Sequence, residues 1–494
     1  MTAAALPDNA RDTAAACDVA VVGGGPAGMA AAIDAAALGL DVVLIDEQPG
    51  PGGQIYRAIT TTPVRDRGIL GADYWRGEAL AATFMRCGAR PLFDTTLWAV
   101  ERNVDGFELA VSNNGAARLI KARHVILATG AQERPFPIPG WTLPGVMAAG
   151  AAQILLKSAG LVPDGPVVVA GCGPLLYLIV AQFHAAGVAL ECVLDTTPPG
   201  RWRQSRRMLA EFVRSPYFVK GWSMLRRAKS RTRIVSGVTQ LRAQGAGRLE
   251  NVGWSCAEQH GSVPAGLLLL HQGVIPGINL SRALGCAHHW DEAQCCFVPT
   301  VDTWGASSLP GITIAGDAAG IAGARAAEAR GSLAAFQAAF ALGSLTLEQR
   351  DARGHASHHR SDGNGDSPLR ALRRFSLGRA FLDEYFKPPR QFRIPTGDTV
   401  VCRCEEVTAQ QIVDAVSLGC TGPNQLKAFL RAGMGPCQGR MCGTTVAEII
   451  AHERGLSPAE TGYYRLRFPT KPVTLAELAS MPKTEAAIAA VVRK

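Results

Sequence analysis

Four cysteines near the end of the chain come as two close pairs, Val401-Cys402-Arg403-Cys404 and Gly435-Pro436-Cys437-Gln438-Gly439-Arg440-Met441-Cys442-Gly443. Separated by helical stretches from Thr408 to Leu418 and from Gln425 to Ala432, the two pairs can converge on one site. Four thiolates in a reducing compartment select zinc or an iron–sulfur cluster. Glycines around the second pair leave backbone N–H groups free to bond cluster sulfurs, which tunes a potential. Cys420 reads as a structural thiol. At the other end, Gly23-x-Gly25-x-x-Gly28 is built for a different chemistry. Gly23 permits a tight turn, Gly25 lets the backbone approach a pyrophosphate, and Gly28 lets helix and strand pack closely. Asp46-Glu47, about twenty residues on, places an acid where ribose hydroxyls need an acceptor. This is a dinucleotide site.

These glycines act only if strands and helices present them. The apolar run Val19 to Val22 is short enough for a buried parallel strand, and an alanine-rich helix, Met29 to Leu38, ends at Gly39. Val42 to Ile45 is the second strand, running into Asp46. Pro91 to Val100 and Phe107 to Val111 read as strands joined by a turn at Asn103 to Gly106, and His124 to Gly130 as another buried strand. Proline and glycine cluster from Arg134 to Gly145 and mark a domain boundary. A second strand–glycine–helix unit starts at Pro166, with Gly171 and Gly173 present but Leu176 in the third glycine position and Asp195 closing it. A leucine there should push the helix off the strand and narrow the phosphate site, so a retained fold with impaired binding is expected. Leu267 to Gly277 returns the chain to the first domain. Pro310 to Asp317 is a short strand ending in Gly316-Asp317, ahead of a small-residue helix, Ala318 to Ala341. In a flavin fold such an acid binds the ribityl chain, and the helix N-terminus behind it favours the reduced anion.

Length and composition bound the rest. At 494 residues the chain exceeds one ordinary core, and 47% apolar with 18% charged residues describes a soluble globular protein. No apolar run is long enough to span a bilayer, and the small, polar start MTAAALPDNARDTAAAC lacks a signal-peptide core, so a cytoplasmic protein is expected. Thirteen cysteines then mean thiols or metal ligands, not disulfides. The cluster Cys286-Ala287-His288-His289 with Cys295-Cys296 matches no standard zinc spacing. Much of the formal charge of +9 gathers between Arg201 and Arg233, against a single Glu211. That reads first as a solvated helical face, second as a surface for an acidic partner; no recognition motif for nucleic acid accompanies it. Asp351 to Pro368 is polar and aperiodic and reads as a flexible linker.

GGGPAG, DEQPGPGGQIYR (Asp46 to Arg57), ATGAQERPFPIPGWTLPG (Ala128 to Gly145), AGDAAGIAGARAAEARG (Ala315 to Gly331) and CRCEEV with GMGPCQGRMCG together resemble one group. These are the flavin and iron–sulfur subunits of heteromeric bacterial amino-acid dehydrogenases, such as the A subunit of opine oxidase, the alpha subunit of hydroxyproline dehydrogenase and the middle subunit of hydrogen cyanide synthase. The resemblance implies an α/β fold with two Rossmann-like dinucleotide-binding domains of the thioredoxin/glutathione reductase type, followed by a small helical [2Fe-2S] domain. On that plan residues 1–150 and 273–345 form the FAD domain and 151–272 the second Rossmann domain. Residues 346–397 form the linker, 398–455 the cluster domain and 456–494 a tail. Gly23, Gly25 and Gly28, with Pro26 and Ala27, would hold the FAD pyrophosphate. Asp46 is the ribose match with Glu47 as rival, and Gln48, Gly53, Gln54, Leu97, Thr129, Gly130, Gly316 and Asp317 complete the flavin site. Cys402, Cys404, Cys437 and Cys442 match the cluster ligands. The last pair has four intervening residues where related domains have two, which leaves zinc open as an alternative. The resemblance further implies a partner of the glycine- or D-amino-acid-oxidase type that binds the substrate. It leaves open an FMN at the interface with that partner, and a small third iron–sulfur protein in the complex. No residue of this chain is assigned a catalytic role, and an alternative reading is a self-sufficient NAD(P)H-dependent reductase of ferredoxin or small carriers.

Overall fold

The computed structural model describes residues 15–257, 259–357 and 365–481. The polar start of the chain, the centre of the expected linker and the end of the tail lie outside the described residues.

The first unit is a sheet whose strands run in the order 90–92, 42–45, 15–22, 116–127, 106–113, 96–103. Strand β1 (Ala15–Val22) lies parallel between β2 (Val42–Ile45) and β6 (Ala116–Leu127), with Val21 opposite both Leu44 and Ile126. The parallel strands are buried on both faces, Val19, Val21, Val42 and Leu44 in one core cluster and Ala20, Val22, Val43 and Ile45 in another with Leu97, Val100 and Leu109, which is why Val19 to Val22 and Val42 to Ile45 are apolar without alternation. β6 divides by composition. Its first half alternates buried and exposed residues and pairs antiparallel with β5 (Gly106–Asn113), whereas His124 to Leu127 are all buried and Val125 to Leu127 pair in parallel with the strand Ile312–Ile314. β3 (Arg90–Leu92) and β4 (Thr96–Asn103) complete the edges.

Helix α1 (Pro26–Ala37) begins three residues before the expected Met29, because Gly25 caps it in extended geometry and Pro26 has the fixed φ suited to a first turn. It packs on the helix Ala324–Ala341, where a side chain at Gly331 would overlap the Ala27 carbonyl. That second helix starts at Ala324, not Ala318. The Asp317 carboxylate takes the N–H groups of Ala322 (2.9 Å) and Gly323 (3.0 Å), and Gly320 and Gly323 hold positive φ, so a loop intervenes.

The second unit is an all-parallel five-stranded sheet ordered 234–236, 190–195, 167–172, 267–272, 146–148. Its edge strand Val146–Ala148 precedes the expected boundary at 151, and helix Ala149–Ala159 runs across it. After the last of these strands, Val274–Pro276 pairs with Ala131–Glu133 and joins the two units. The basic segment is helical, in Arg201–Ser205, Leu209–Arg214 and Phe218–Arg231.

The flexible-linker expectation for residues 351–368 needs correction at its ends: helix Leu347–His355 takes its start and helix Pro368–Ser376 begins at its last residue, while residues 358–364 lie outside the described residues. Two further helices, Arg379–Tyr385 and Arg390–Arg393, complete the segment up to 397. Aromatic anchors fold this segment onto the body: Phe381 stacks on Phe212 at 4.3 Å, and Phe392 meets Phe136 edge-on at 5.2 Å. The third unit follows, with a two-stranded pair (Val400–Cys402, Val407–Thr408) and helices Ala409–Ser417, Pro423–Leu430 and Gly443–Glu453. Its core takes in Tyr463, Tyr464 and Leu466 from the tail, and Ile278 and Phe297 from the first unit. The tail then crosses back over β4, where the Thr470 N–H donates to the Trp98 carbonyl. Among the described residues no helix is long and apolar enough to cross a membrane.

Candidate functional site

The glycine turn forms a cradle. The Gly23 N–H donates to the Ile45 carbonyl and the Gly52 N–H to the Gly24 carbonyl, tying the turn to β2 and to the loop that follows it. A side chain at Gly28 would collide with the Gly23 carbonyl oxygen, so helix and strand touch backbone to backbone. At Gly25 the surroundings differ. A Cβ there would meet only Gly53 Cα at 3.8 Å, and no side chain caps α1. Open space above uncapped N–H groups at a helix N-terminus is what a pyrophosphate requires. Gly53, with φ of +57°, cannot carry a side chain without striking Gly25, so both walls of the cradle are bare backbone.

The Asp46 carboxylate accepts the N–H groups of Gly24 (2.5 Å) and Gln48 (2.8 Å), and burial lifts its pKa against those two donors. It thus holds the turn closed while one edge stays available to a ribose. Its rival Glu47 is exposed and ion-paired with Lys471 of the tail at 2.7 Å. Gln48 participates through its backbone. The Leu97 side chain is buried in the core beside Val43, Ile45 and Leu127. Pro26 and Ala27 are buried in the first turn, and Gly316 packs against Ala27 with φ of +69°. The Gly316-Asp317 turn thereby abuts the start of α1, braced by Arg330, whose guanidinium donates to the carbonyls of Gly316 and Gly320. Thr129 donates its hydroxyl to the Gly277 carbonyl at 2.8 Å, and the Gly277 N–H donates to the Gly130 carbonyl at 2.9 Å.

One residue of this site belongs to no sequence motif. Lys157, 3% exposed on the first helix of the second unit, donates to the carbonyls of Gln54 (3.1 Å) and Ile55 (3.0 Å) and to Gln153 Oε1 (2.9 Å). Burial lowers its pKa to about 7, and Arg57 adds to the effect. Gln54 itself is exposed and held by its backbone. The signal in sequence is a polar pair four residues apart, Gln153 and Lys157, on a helix whose only other polar side chain is Ser158.

The second nucleotide unit is filled by its own chain. Tyr177 donates to the Asp195 carboxylate at 2.5 Å, engaging the acid that a ribose would need. His271 Nε2 would lie 3.2 Å from a Cβ at Gly173, and its Nδ1 lies 2.6 Å from Glu133 Oε1. Cys172, between the two glycines, points its sulfur at the Phe386 carbonyl (3.5 Å). Arg201 pairs with Glu384 at 3.2 Å, and Gln272 donates to the Phe392 carbonyl. The segment from Arg379 to Arg393 therefore lies over the mouth of the glycine turn. Leu176 is fully buried between helix and sheet, as its bulk requires.

The four thiols converge. Cys402 contacts Cys442, and Cys404 contacts Cys437. The Cys402 pKa falls to about 6, chiefly through Cys442, with help from the backbone N–H groups of Gly433, Glu405 and Cys404. Gly435 must lack a side chain, because Cys404 Cβ occupies that space. Among the described residues no three donor side chains crowd together as ligands of a single ion would. Two thiol pairs with N–H groups aimed at sulfur fit a binuclear cluster. Cys420 is buried and apart, bonded to the Gly422 carbonyl. Cys286, Cys295, Cys296, His288 and His289 do not assemble: His288 bonds Ser281 and the Cys286 carbonyl, and His289 faces Thr300.

The cluster loop rests on the first unit close to Thr129 and Gly130, two of the expected flavin residues. Gln132 donates to the Arg440 carbonyl at 2.7 Å, and Asn279 to the Gln438 carbonyl at 3.1 Å. Thr129 and Gln132 are three residues apart, a span of at most about 11 Å. Trp141 donates to the Val400 carbonyl, and Arg393 pairs with buried Glu448, so the third unit is clasped from two sides.

Comparison with known proteins agrees with this geometry. Residues 17–341 match the family model for pyridine nucleotide-disulphide oxidoreductases, and residues 400–452 match the BFD-like [2Fe-2S] binding domain. The chain is 48% identical over 484 residues to the A subunit of opine oxidase from Rhizobium meliloti, covering 96% of this chain and 89% of that one. It is 37% identical to hydrogen cyanide synthase subunit HcnB of Pseudomonas aeruginosa, covering 92% and 96%. Among solved structures, L-proline dehydrogenase from P. horikoshii superposes with a TM-score of 0.68 at 20% identity, over 94% of this chain and 79% of that one, a likeness of fold. The chain belongs to the pyridine nucleotide-disulphide oxidoreductase family, in the group that holds HcnB and the A subunit of opine oxidase, and is a flavin-dependent oxidoreductase that uses FAD and a [2Fe-2S] cluster.

Proposed function

We propose that this chain is the electron-transfer subunit of a heteromeric dehydrogenase acting on the C–N bond of an opine, D-hydroxyproline or another amino acid. The substrate is oxidised on a partner subunit of the glycine- or D-amino-acid-oxidase type. The observation that carries this reading is the direct clasp between the flavin wall and the cluster loop, through Gln132 and Asn279. When bound, FAD and the [2Fe-2S] cluster supply the electron relay. The chain's residues do the rest. Gly25, Gly53 and the start of α1 receive the pyrophosphate, Asp46 the ribose and Asp317 the ribityl side. Gln132 and Asn279 hold the cluster loop against the same wall.

Two features favour this over a self-sufficient NAD(P)H-dependent reductase. Tyr177 engages Asp195, and Phe386 lies at the second glycine turn. Disulfide reduction is disfavoured as well, since Gly52-Gly53-Gln54-Ile55 stands where a cysteine pair beside the flavin would be needed. The helices from Arg201 to Arg231 suit partner docking: Trp202 and Trp222 are 57% and 65% exposed among arginines. An acidic partner face with an apolar centre complements them. None of the thirteen cysteines is in a disulfide, which suits a cytoplasmic protein. Co-expression with a neighbouring flavoprotein gene product tests the reading. The complex should show dye-linked dehydrogenase activity and the isolated, FAD-loaded chain none; equal turnover by the isolated chain would refute it.

A further inference from the structure

We propose that Tyr464, a residue beyond the matched iron–sulfur unit, donates a hydrogen bond to the ligand sulfur of Cys442 and thereby raises the reduction potential of the cluster. The proposal concerns the cluster site alone and stands whichever substrate the partner takes. Tyr464 follows the 400–452 unit in sequence but is 1% exposed inside its core. Its ring fixes the shape of the thiol loops. A side chain at Gly433 would come within 2.5 Å of Tyr464 Cζ, and one at Gly439 within 2.7 Å of Cδ2. Gly433 precedes the second thiol pair and Gly439 lies between its two cysteines, so the ring and the loops are mutually seated. The hydroxyl then faces Cys442 Sγ at 3.8 Å. An iron-bound cysteine is a thiolate without a proton, so in the loaded protein only the phenol can donate.

The surroundings strengthen that donor. Lys427 Nζ stands 4.9 Å from the centre of the Tyr464 ring, over its face. A cation there draws density from the ring and polarises the O–H bond. Lys427 is itself placed by a hydrogen bond to the Arg465 carbonyl at 3.3 Å. Cys442 also caps the helix Gly443–Glu453, whose positive end favours negative charge on the sulfur. On the opposite pair, Cys402 takes backbone N–H groups from within the unit, whereas the Tyr464 contact comes from outside it. One-electron reduction adds one negative charge to the iron–sulfur core and moves no proton; the Tyr464 proton stays on its oxygen. A donor to sulfur stabilises the more negative reduced form, so its removal lowers the potential. Tyr464 is thus a positioning and tuning residue that acts through Cys442.

Redox titration of the full, FAD- and cluster-loaded chain, followed by electron paramagnetic resonance, tests this. Tyr464→Phe keeps the ring against Gly433 and Gly439 and removes only the hydroxyl. The expected result is unchanged iron and flavin content, a midpoint potential more negative than wild type and shifted g values. Replacing Tyr464 with 3-fluorotyrosine, a stronger donor, should move the midpoint in the positive direction. If the phenylalanine variant loses its cluster, the fluorotyrosine protein decides alone: a positive shift supports the hydrogen bond. An unchanged midpoint in the fluorotyrosine protein, or shifts of the same sign in both variants, would overturn the proposal.

Discussion

Gly25→Val separates binding from folding at the glycine turn, because the space beside Gly25 is closed by nothing in the protein itself. A Cβ at this position approaches only Gly53 Cα, at 3.8 Å, and the backbone has φ of −75°, which valine adopts without strain. The methyl groups would instead project over the first N–H groups of α1. A phosphate oxygen must come within about 3 Å of those donors, so a branched side chain there excludes it. Each charge-assisted hydrogen bond contributes roughly 1.5–3 kcal/mol, and losing two costs roughly 3–6 kcal/mol. That corresponds to FAD binding weakened about a hundred- to ten-thousand-fold. The assay pairs flavin absorbance per purified chain and FAD titration with thermal unfolding of the apo-proteins. Gly25→Val should lose flavin while its apo form unfolds at the wild-type temperature. Gly28→Ala is the contrast, since its Cβ would lie 1.7 Å from the Gly23 carbonyl oxygen and the helix must move away. That variant should lose both flavin and stability. Full flavin content in Gly25→Val would place the phosphates elsewhere, and an unfolded apo form would refute the open-space argument.

Other expectations follow from the remaining sites. Anaerobic NADH should bleach the flavin slowly or not at all, because Tyr177 engages Asp195 and Phe386 lies at the second glycine turn; rapid stoichiometric bleaching at micromolar NADH, followed by stopped-flow absorbance, would contradict this. Serine at any one of Cys402, Cys404, Cys437 or Cys442 should lose or destabilise the iron–sulfur signal by electron paramagnetic resonance while FAD stays, since the pyrophosphate cradle is built from other elements; one zinc and no iron in anaerobically prepared wild type would reject the cluster. Lys157 has its folded pKa lowered to about 7 from the ordinary value of 10.5, so the unfolded chain binds the extra proton between those values. Stability contributed by this group should therefore rise with pH across that window, by at most about 1.4 kcal/mol per pH unit. Denaturant unfolding of wild type and Lys157→Met at several pH values checks this: the difference in favour of wild type should grow from pH 7 to 10.

Local chemistry was legible before any fold was known. The glycine spacing at Gly23, Gly25 and Gly28 and the apolar runs Val19 to Val22 and Val42 to Ile45 declare a phosphate-binding turn, because backbone approach and two-faced burial admit few residue types. The thiol pairs at Cys402, Cys404, Cys437 and Cys442 declare a zinc or iron–sulfur site for the same reason: few arrangements justify four reactive sulfurs. Tertiary structure decided what composition hides. Residues 351–368 read as solvent-exposed chain because they hold no phenylalanine, tyrosine or tryptophan, yet in the helices that follow Phe381 and Phe392 each find a ring on a distant element. Asp195 reads as a ribose ligand until Tyr177, one helical turn into the facing helix, is seen to hold it. Lys157 and Tyr464 carry no motif, since burial and partners across more than a hundred residues, or across a unit boundary, give them their roles. Sequence specifies the groups that chemistry demands at fixed local spacing; only the packed chain determines which of them keep a free face and which are already satisfied by their neighbours.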